Sequence, residues 1–418
     1  MKATNPVPPG YKRTKVGVIP EEWEVVKLGD IASRSTQKNV ENIIDVVFSN
    51  SALDGIVMQN DYFDKDIANR NNLSGYYIVN PGDFVYNPRI SKYAPAGPIN
   101  RNNTGKTGIV SPLYTVFCIE DSECIRFFEY YFKSTLWLSY MNSIANYGAR
   151  HDRMNITVND FMKMPLPLPP LKEQQKIAQI LSTWDEAIAK LEALIEAKER
   201  FKKGLMQQLL STKLRFPGFE GEWEEVRLGD VAIRITKKNV DNSIKLVFSN
   251  SATDGIVIQN DYFDKDIANK NNLSGYYIVE PGYFVYNPRI SKSAPAGPIS
   301  RNNKDTSGIV SPLYMVFHFK TSKFATFIEY YFKSMLWIRF MYSIANYGAR
   351  HDRMNITIRD FMKMPLPFPS EAEQEKIVEI LGTVDKELML LKKEIKALKE
   401  QKRGLMQKLL SREVRVKL

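Results

Sequence analysis

One string of potentially reactive residues occurs twice, as Arg150-His151-Asp152-Arg153 and again as Arg350-His351-Asp352-Arg353. A histidine beside an aspartate invites a general acid–base pair. Side chains at neighbouring positions diverge, however, so neither His151 with Asp152 nor His351 with Asp352 forms a dyad by adjacency. The context fits another task, because Asn146-Tyr147-Gly148 precedes the first string and Asn346-Tyr347-Gly348 the second. Arginine offers a bidentate fork to phosphates and guanine edges, asparagine matches adenine, and tyrosine packs or bonds against phosphate. Candidate nucleic-acid contacts are therefore Asn146, Tyr147, Arg150, His151 and Arg153, with Asn346, Tyr347, Arg350, His351 and Arg353. A surface loop held by its own salt bridges is the competing reading.

A second candidate is Tyr86-Asn87-Pro88-Arg89-Ile90-Ser91-Lys92, a proline-shaped turn bearing basic and hydroxyl groups. It recurs as Tyr286, Asn287, Pro288, Arg289, Ile290, Ser291 and Lys292. Asparagine-rich loops add Arg101 and Arg301. The acidic stretch Asp61-Tyr62-Phe63-Asp64-Lys65-Asp66, repeated from Asp261 to Asp266, has the carboxylate density of a Mg²⁺ site. No third, distant carboxylate or lysine base goes with it, so it reads as solvated turn carboxylates. Gly105-Lys106-Thr107 resembles the tail of a phosphate-binding loop, but Asn100 stands where that loop needs its first glycine, with Arg101 after it. No glycine-rich fingerprint follows a strand, and the 3 histidines and 2 cysteines form no cluster with metal-ligand spacing. The expectation is a binding protein, with no catalytic centre and no metal.

These strings share a spacing: adding 200 to a residue number finds its twin, from Trp23 and Trp223 to Gly204 and Gly404. Residues 41–170 match residues 241–370 at 96 of 130 positions, which is domain duplication and not a solenoid. Within each copy, β-prone runs such as Val46-Val47-Phe48, Tyr76 to Val79, Asp83 to Tyr86 and Leu113 to Phe117 alternate with turn signals. Residues 122–143 switch to helical period, with Phe127, Phe128, Tyr131 and Phe132 on a core-facing stripe. Met164-Pro165-Leu166-Pro167-Leu168-Pro169-Pro170 then forces an extended, stiff arm.

After each arm a heptad seam begins: Ile177, Leu181, Trp184, Ile188, Leu191 and Ile195, then Ile377, Leu381, Val384, Leu388, Leu391 and Ile395. Lys198, Lys202 and Lys402 interrupt the seams and fix their register. Some 40 residues at ~1.5 Å each make a rod of roughly 60 Å. Two exposed seams in one chain pair most cheaply with each other, with pairing between chains as the alternative. The expected fold is α+β, two similar globular domains joined by an antiparallel intramolecular coiled coil with pseudo-two-fold symmetry. Its parts are 1–170 and 213–370 (globular), 171–212 and 371–412 (helical), and a tail at 413–418.

A 418-residue chain with 44% hydrophobic and 25% charged residues suits two ordinary cores. The net charge of +11 points to a polyanionic partner. Its distribution demands a local basic patch in the first copy, because residues 41–170 hold 11 basic and 13 acidic side chains. Cys118 and Cys124 have no twins and read as reduced, buried hydrophobes of a cytoplasmic protein. No apolar run is long enough to span a membrane, and the first twenty residues do not look like a leader.

The junction Met164 to Pro170 followed by Leu171-Lys172-Glu173-Gln174-Gln175-Lys176-Ile177 resembles the specificity subunits of type I restriction-modification enzymes. It recurs as Met364 to Pro369 with Glu373-Gln374-Glu375-Lys376-Ile377, departing at Ser370-Glu371-Ala372. The openings Trp23 to Asp30 and Trp223 to Asp230 fit the same pattern. The resemblance implies two target recognition domains that read a bipartite double-stranded DNA target, with the paired helices setting the spacer. It implies two adenine-N6 methyltransferase subunits and ATP-dependent restriction subunits as partners, which carry S-adenosylmethionine, ATP and Mg²⁺. Copies this alike imply a palindromic or nearly palindromic target, with a spacer of about five to eight base pairs at ~34–36 Å per DNA turn. A coiled-coil scaffold that binds no DNA, or an orphan DNA-binding protein without a modification partner, is the alternative.

Overall fold

The computed structural model describes residues 7–62, 73–146, 152–262, 273–345 and 352–417. They fall into two compact units that do not follow the chain linearly. One runs to Leu191 and resumes at Glu394; the other is Glu192–Lys393.

Each unit is built on a four-stranded antiparallel sheet. In the first the order is Ala32–Ser35, Thr115–Ile119, Phe84–Tyr86, Ile99–Arg101; in the second it is Ala232–Ile235, Met315–Phe319, Phe284–Tyr286, Ile299–Arg301. Phe84, Val85 and Tyr86 are all buried, so this central strand is covered on both faces. On one side Phe84 and Phe117 stack at 5.4 Å and meet Phe132 edge-on. On the other, Val85 joins Phe48, Val79, Val110 and Val116. The helical stripe at 122–143 is two helices, Ile125–Lys133 and Leu138–Ile144. Ser134 separates them, with extended backbone and a hydroxyl that donates to the Tyr131 carbonyl.

The proline arm is the strand Pro165–Leu168, paired only with Glu24–Lys27, so no sheet hydrogen bond is lost on its outer side. It closes the start of the globular region onto its end, as Pro365–Phe368 does with Glu224–Arg227. Cys124 is buried, whereas Cys118 on the strand Thr115–Ile119 is only half-buried.

Both long helices are present, Leu171–Leu210 and Glu371–Ser411. In the first unit Ile177 and Leu181 pack with Met406, Leu409 and Leu410, and in the second Ile377 and Leu381 pack with Met206, Leu209 and Leu210. Within each unit, therefore, the beginning of one helix lies antiparallel to the end of the other. Ile188, Val384 and Leu388 are also buried, whereas Trp184, Leu191, Ile195, Leu391 and Ile395 are half-exposed, as a two-helix seam leaves one side open. The interrupting lysines make ion pairs across the seam: Lys402 with Asp185 in the first unit, Lys202 with Asp385 and Lys198 with Glu387 in the second. Tyr130 donates to Asp185 at 2.8 Å and Tyr330 to Asp385 at 3.0 Å, tying each globular core to its helix pair.

Candidate nucleic-acid interface

The strand Phe84–Tyr86 runs into a tightly specified turn. Asn87 is buried; its Nδ2 donates to the Asn50 carbonyl at 3.1 Å, and its Oδ1 accepts from the Arg89 amide at 3.0 Å. Gly97 lies against this turn at φ +77°, where a Cβ would sit 2.0 Å from the Asn87 carbonyl oxygen, so only glycine fits. The turn then pairs with the second candidate loop. The Met154 amide donates to Pro88 O at 2.9 Å and the Ile90 amide to Asp152 O at 3.0 Å, which sets Arg89 opposite Arg153 in an antiparallel bridge. Residues opposite each other in such a bridge project to the same side. The second unit repeats the arrangement with Arg289 opposite Arg353 and the same two distances. Arg89 and Arg289 are exposed and Arg153 and Arg353 half-exposed, which makes each pair a local cationic spot. The Nε of Arg153 and of Arg353 is buried without a hydrogen bond, while Asp152 and Asp352 lie at 3.7 and 3.5 Å.

Several sequence candidates are placed differently. Tyr86 and Tyr286 are core residues: their hydroxyls donate to Ala96 O and Ala296 O, and their rings stack on Phe161 and Phe361 at 4.8 and 4.9 Å. Burial holds both phenols above their usual pKa. Asn87 and Asn287 shape the turn and face no solvent. Arg101 and Arg301 are taken up by Glu129 and Glu329, at 3.6 and 3.8 Å. Burial is the largest influence on Glu129 and would raise its pKa, but Lys133, Asn103 and Arg101 together hold it below the ordinary value. These three pairs have one feature in common: each side chain spends its polar groups inside the fold. Ser91 and Ser291 are exposed and accept from the Ala94 and Ala294 amides at 3.1 Å; Lys92 and Lys292 are exposed. Asn146 is exposed and pairs through its backbone with Asn155. Tyr147, Arg150, His151, Asn346, Tyr347, Arg350 and His351 lie outside the described residues, as do Asp64 and Asp66 with their twins.

Beside the arginine pair the fold adds groups that sequence reasoning passes over. In the second unit a cleft of about 250 Å³ is lined by Arg234, Tyr277, Leu313, Tyr314, Arg353 and Asn355. In the first, the Arg34 guanidinium lies 5.9 Å from the centre of the Tyr77 ring and donates to its hydroxyl at 3.4 Å. Tyr114, whose phenol burial holds above its usual pKa, feels the charge of Arg89. The signal available in the sequence was recurrence at a spacing of 200, but 43 residues separate Arg34 from Tyr77. Among the described residues no group of three or more His, Cys, Asp or Glu side chains is placed to hold a metal ion. No described helix is long and apolar enough to cross a membrane.

Two mixed α+β regions, each packed on helix segments within its own unit and each presenting a bridged arginine pair, define a duplicated recognition protein. Residues 20–199 and 220–400 both match the family model of the type I restriction modification DNA specificity domain, and the chain belongs to that family. It is 25% identical over 425 residues to the type I restriction enzyme MjaVIII specificity subunit of Methanocaldococcus jannaschii, covering 96% of this chain and 94% of that one. It is 23% identical over 456 residues to the putative MjaX specificity subunit of the same organism, covering 97% of each. A solved structure from work on complex assembly and conformational transition of the type I restriction-modification system shares the fold, with a TM-score of 0.54 at 16% identity over 94% of this chain and 98% of that one. The family is one of DNA recognition subunits, and the chain is a specificity component and not itself a catalyst.

Proposed function

We propose that each globular region reads one half of a bipartite DNA target and is held on it by the bridged loops carrying Arg89 with Arg153 and Arg289 with Arg353. The observation that carries this reading is the pairing of those loops, which gathers exposed cations at one place in a copy whose residues 41–170 are not basic overall. The two halves of the target are the same or nearly so, because residues 41–170 match the second copy at 96 of 130 positions, including Tyr77, Arg89, Tyr114 and Arg153, and Arg34 before them matches Arg234. The target is then an interrupted palindrome or close to one. The chain works in the cytoplasm of a prokaryotic cell. There it positions two adenine-N6 methyltransferase subunits, which bind S-adenosylmethionine, and the ATP-dependent restriction subunits. Co-expression with the cognate modification subunit followed by adenine-methylation mapping tests all of this at once. Two related, inverted half-sites are expected. Two unrelated half-sites would overturn the palindrome, and methylation independent of this chain would overturn its role.

A further inference from the structure

Most exposed apolar side chains among the described residues of the globular regions diverge between the two copies. Ile43, Leu53 and Tyr93 are exposed in the first globular region, and their twins are Ser243, Thr253 and Ser293. Val40 and Leu113 instead keep their identity as Val240 and Leu313, with 72% and 58% of the side-chain-bearing residue exposed in the first copy and 74% and 63% in the second. Both sit on loops that the fold holds rigidly. Buried Asn39 donates to Ile44 O at 2.8 Å and accepts from the Ile44 amide at 3.1 Å, closing the loop that carries Val40. Ser111 accepts from the Leu113 amide through its hydroxyl at 3.3 Å and from the Tyr114 amide through its carbonyl at 3.0 Å. Asn239 and Ser311 do the same in the second copy.

The Leu313 loop borders the cationic cleft, and the chain leading into the Val240 loop is tied to the wall of that cleft. Leu313 lines it with Arg234 and Arg353, and Lys238, two residues before Val240, bridges to Tyr277 in its wall. An apolar tip held out into water among arginines suits a surface that is partly apolar and partly anionic. The DNA major groove has this character: the thymine methyl is the apolar group on its base edges, and phosphates flank it.

Resting on the DNA-reading role above, we propose that Leu113 and Leu313, with Val40 and Val240, are specificity-determining residues that contact thymine methyl groups in each half-site. The arginines around them hold the phosphates or a neighbouring guanine. The test uses the full-length chain and a duplex library with both half-sites randomised, comparing the parent with L113S/L313S and V40S/V240S at several salt concentrations. Each pair of changes should relax the preference at one A·T position in both halves, with discrimination there falling on the order of tenfold. The salt dependence should not change, because no phosphate contact is lost. The single change L113S should relax one half-site only. An unaltered motif, or a loss of affinity spread evenly over all sequences, would overturn the inference. A parent chain that selects no motif at all would remove the underlying role first, an outcome visible without any variant. Because these side chains are exposed, unchanged thermal melts are the expected control for folding.

Discussion

Arg415 closes on Glu173 with two hydrogen bonds, at 2.8 and 3.0 Å, across 242 residues of chain. Glu173 is buried and also accepts from the Trp23 indole at 2.8 Å, so the segment that follows the second long helix, the start of the first and the opening of the globular region meet on one carboxylate. In the second unit Arg215 and Trp223, close neighbours in sequence, do the same for Glu373. The segment after Ser411 and the residues before Trp23 thus jointly play the part that one continuous segment plays after Leu210.

Replacing Arg415 by alanine leaves Glu173 as a buried charge with only an indole to satisfy it. Breaking a fully buried pair costs about 3–5 kcal/mol. Arg415 is itself about a third exposed, so roughly 2 kcal/mol is the expected loss. Hydrogen exchange should localise it: protection falls around Glu24–Lys27 and Pro165–Leu168, while Glu224–Arg227 keeps its own. An equal loss in both units would show that Arg415 acts otherwise.

Cys124 and Cys118 should differ sharply toward alkylation. Burial, reinforced by its hydrogen bond to Asp121, pushes the Cys124 thiol up to about 11. Iodoacetamide at pH 8 should modify half-buried Cys118 first, with Cys124 following only on unfolding. The sign for stability follows. A folded pKa raised above the unfolded value of ~8.5 leaves stability intact below that value and erodes it as pH rises toward about 11. Mass spectrometry of the peptide containing both residues checks the order, and equal rates would contradict the burial argument.

The long helices were legible because Ile177, Leu181, Ile188 and their twins recur at heptad spacing, and even the lysines that interrupt the seam have partners where an antiparallel pairing requires them. The interface was less legible, for reasons particular to each residue. Phe84, Val85 and Tyr86 are buried on both faces, so the alternation that separates inward from outward residues disappears and Tyr86 looks available. Arg101 looks free until a helix 28 residues further on brings Glu129 to it. Arg34 and Tyr77 carry no mark of their meeting, since they lie on strands of two different sheets and their contact depends on how those sheets pack, not on any local pattern.

The bridged arginines should behave as positioning contacts. Replacing Arg89 and Arg289 by alanine is expected to weaken DNA binding about equally for all sequences and to lower the slope of log affinity against log salt by ~1 for each phosphate contact removed. A changed base preference with an unchanged slope would instead assign them to base reading. Both readouts come from one set of salt titrations on specific and random duplexes.

The copies also differ at one buried hydrogen bond, and the difference has a direction. In the first unit Asn50 is buried, donates to Val85 O and Pro98 O, and accepts at its Oδ1 from Asn100 at 2.7 Å. In the second unit Asn250 keeps both donations, but Ser300 stands in place of Asn100 and the Asn250 Oδ1 is buried with no partner. An unsatisfied buried acceptor costs about 1–3 kcal/mol, and a regained hydrogen bond contributes roughly 1 kcal/mol. Ser300→Asn should therefore stabilise the second unit by about 1 kcal/mol. The reverse change, Asn100→Ser, should destabilise the first by at least as much, because Asn100 also donates to Ser51 O at 3.0 Å. Asn50 and Asn250 brace the turns that present Arg89 and Arg289, so each change should alter amide exchange at that turn in its own unit. Opposite signs for the two substitutions are the decisive result; a loss of stability from Ser300→Asn would mean that the second copy has repacked around its serine.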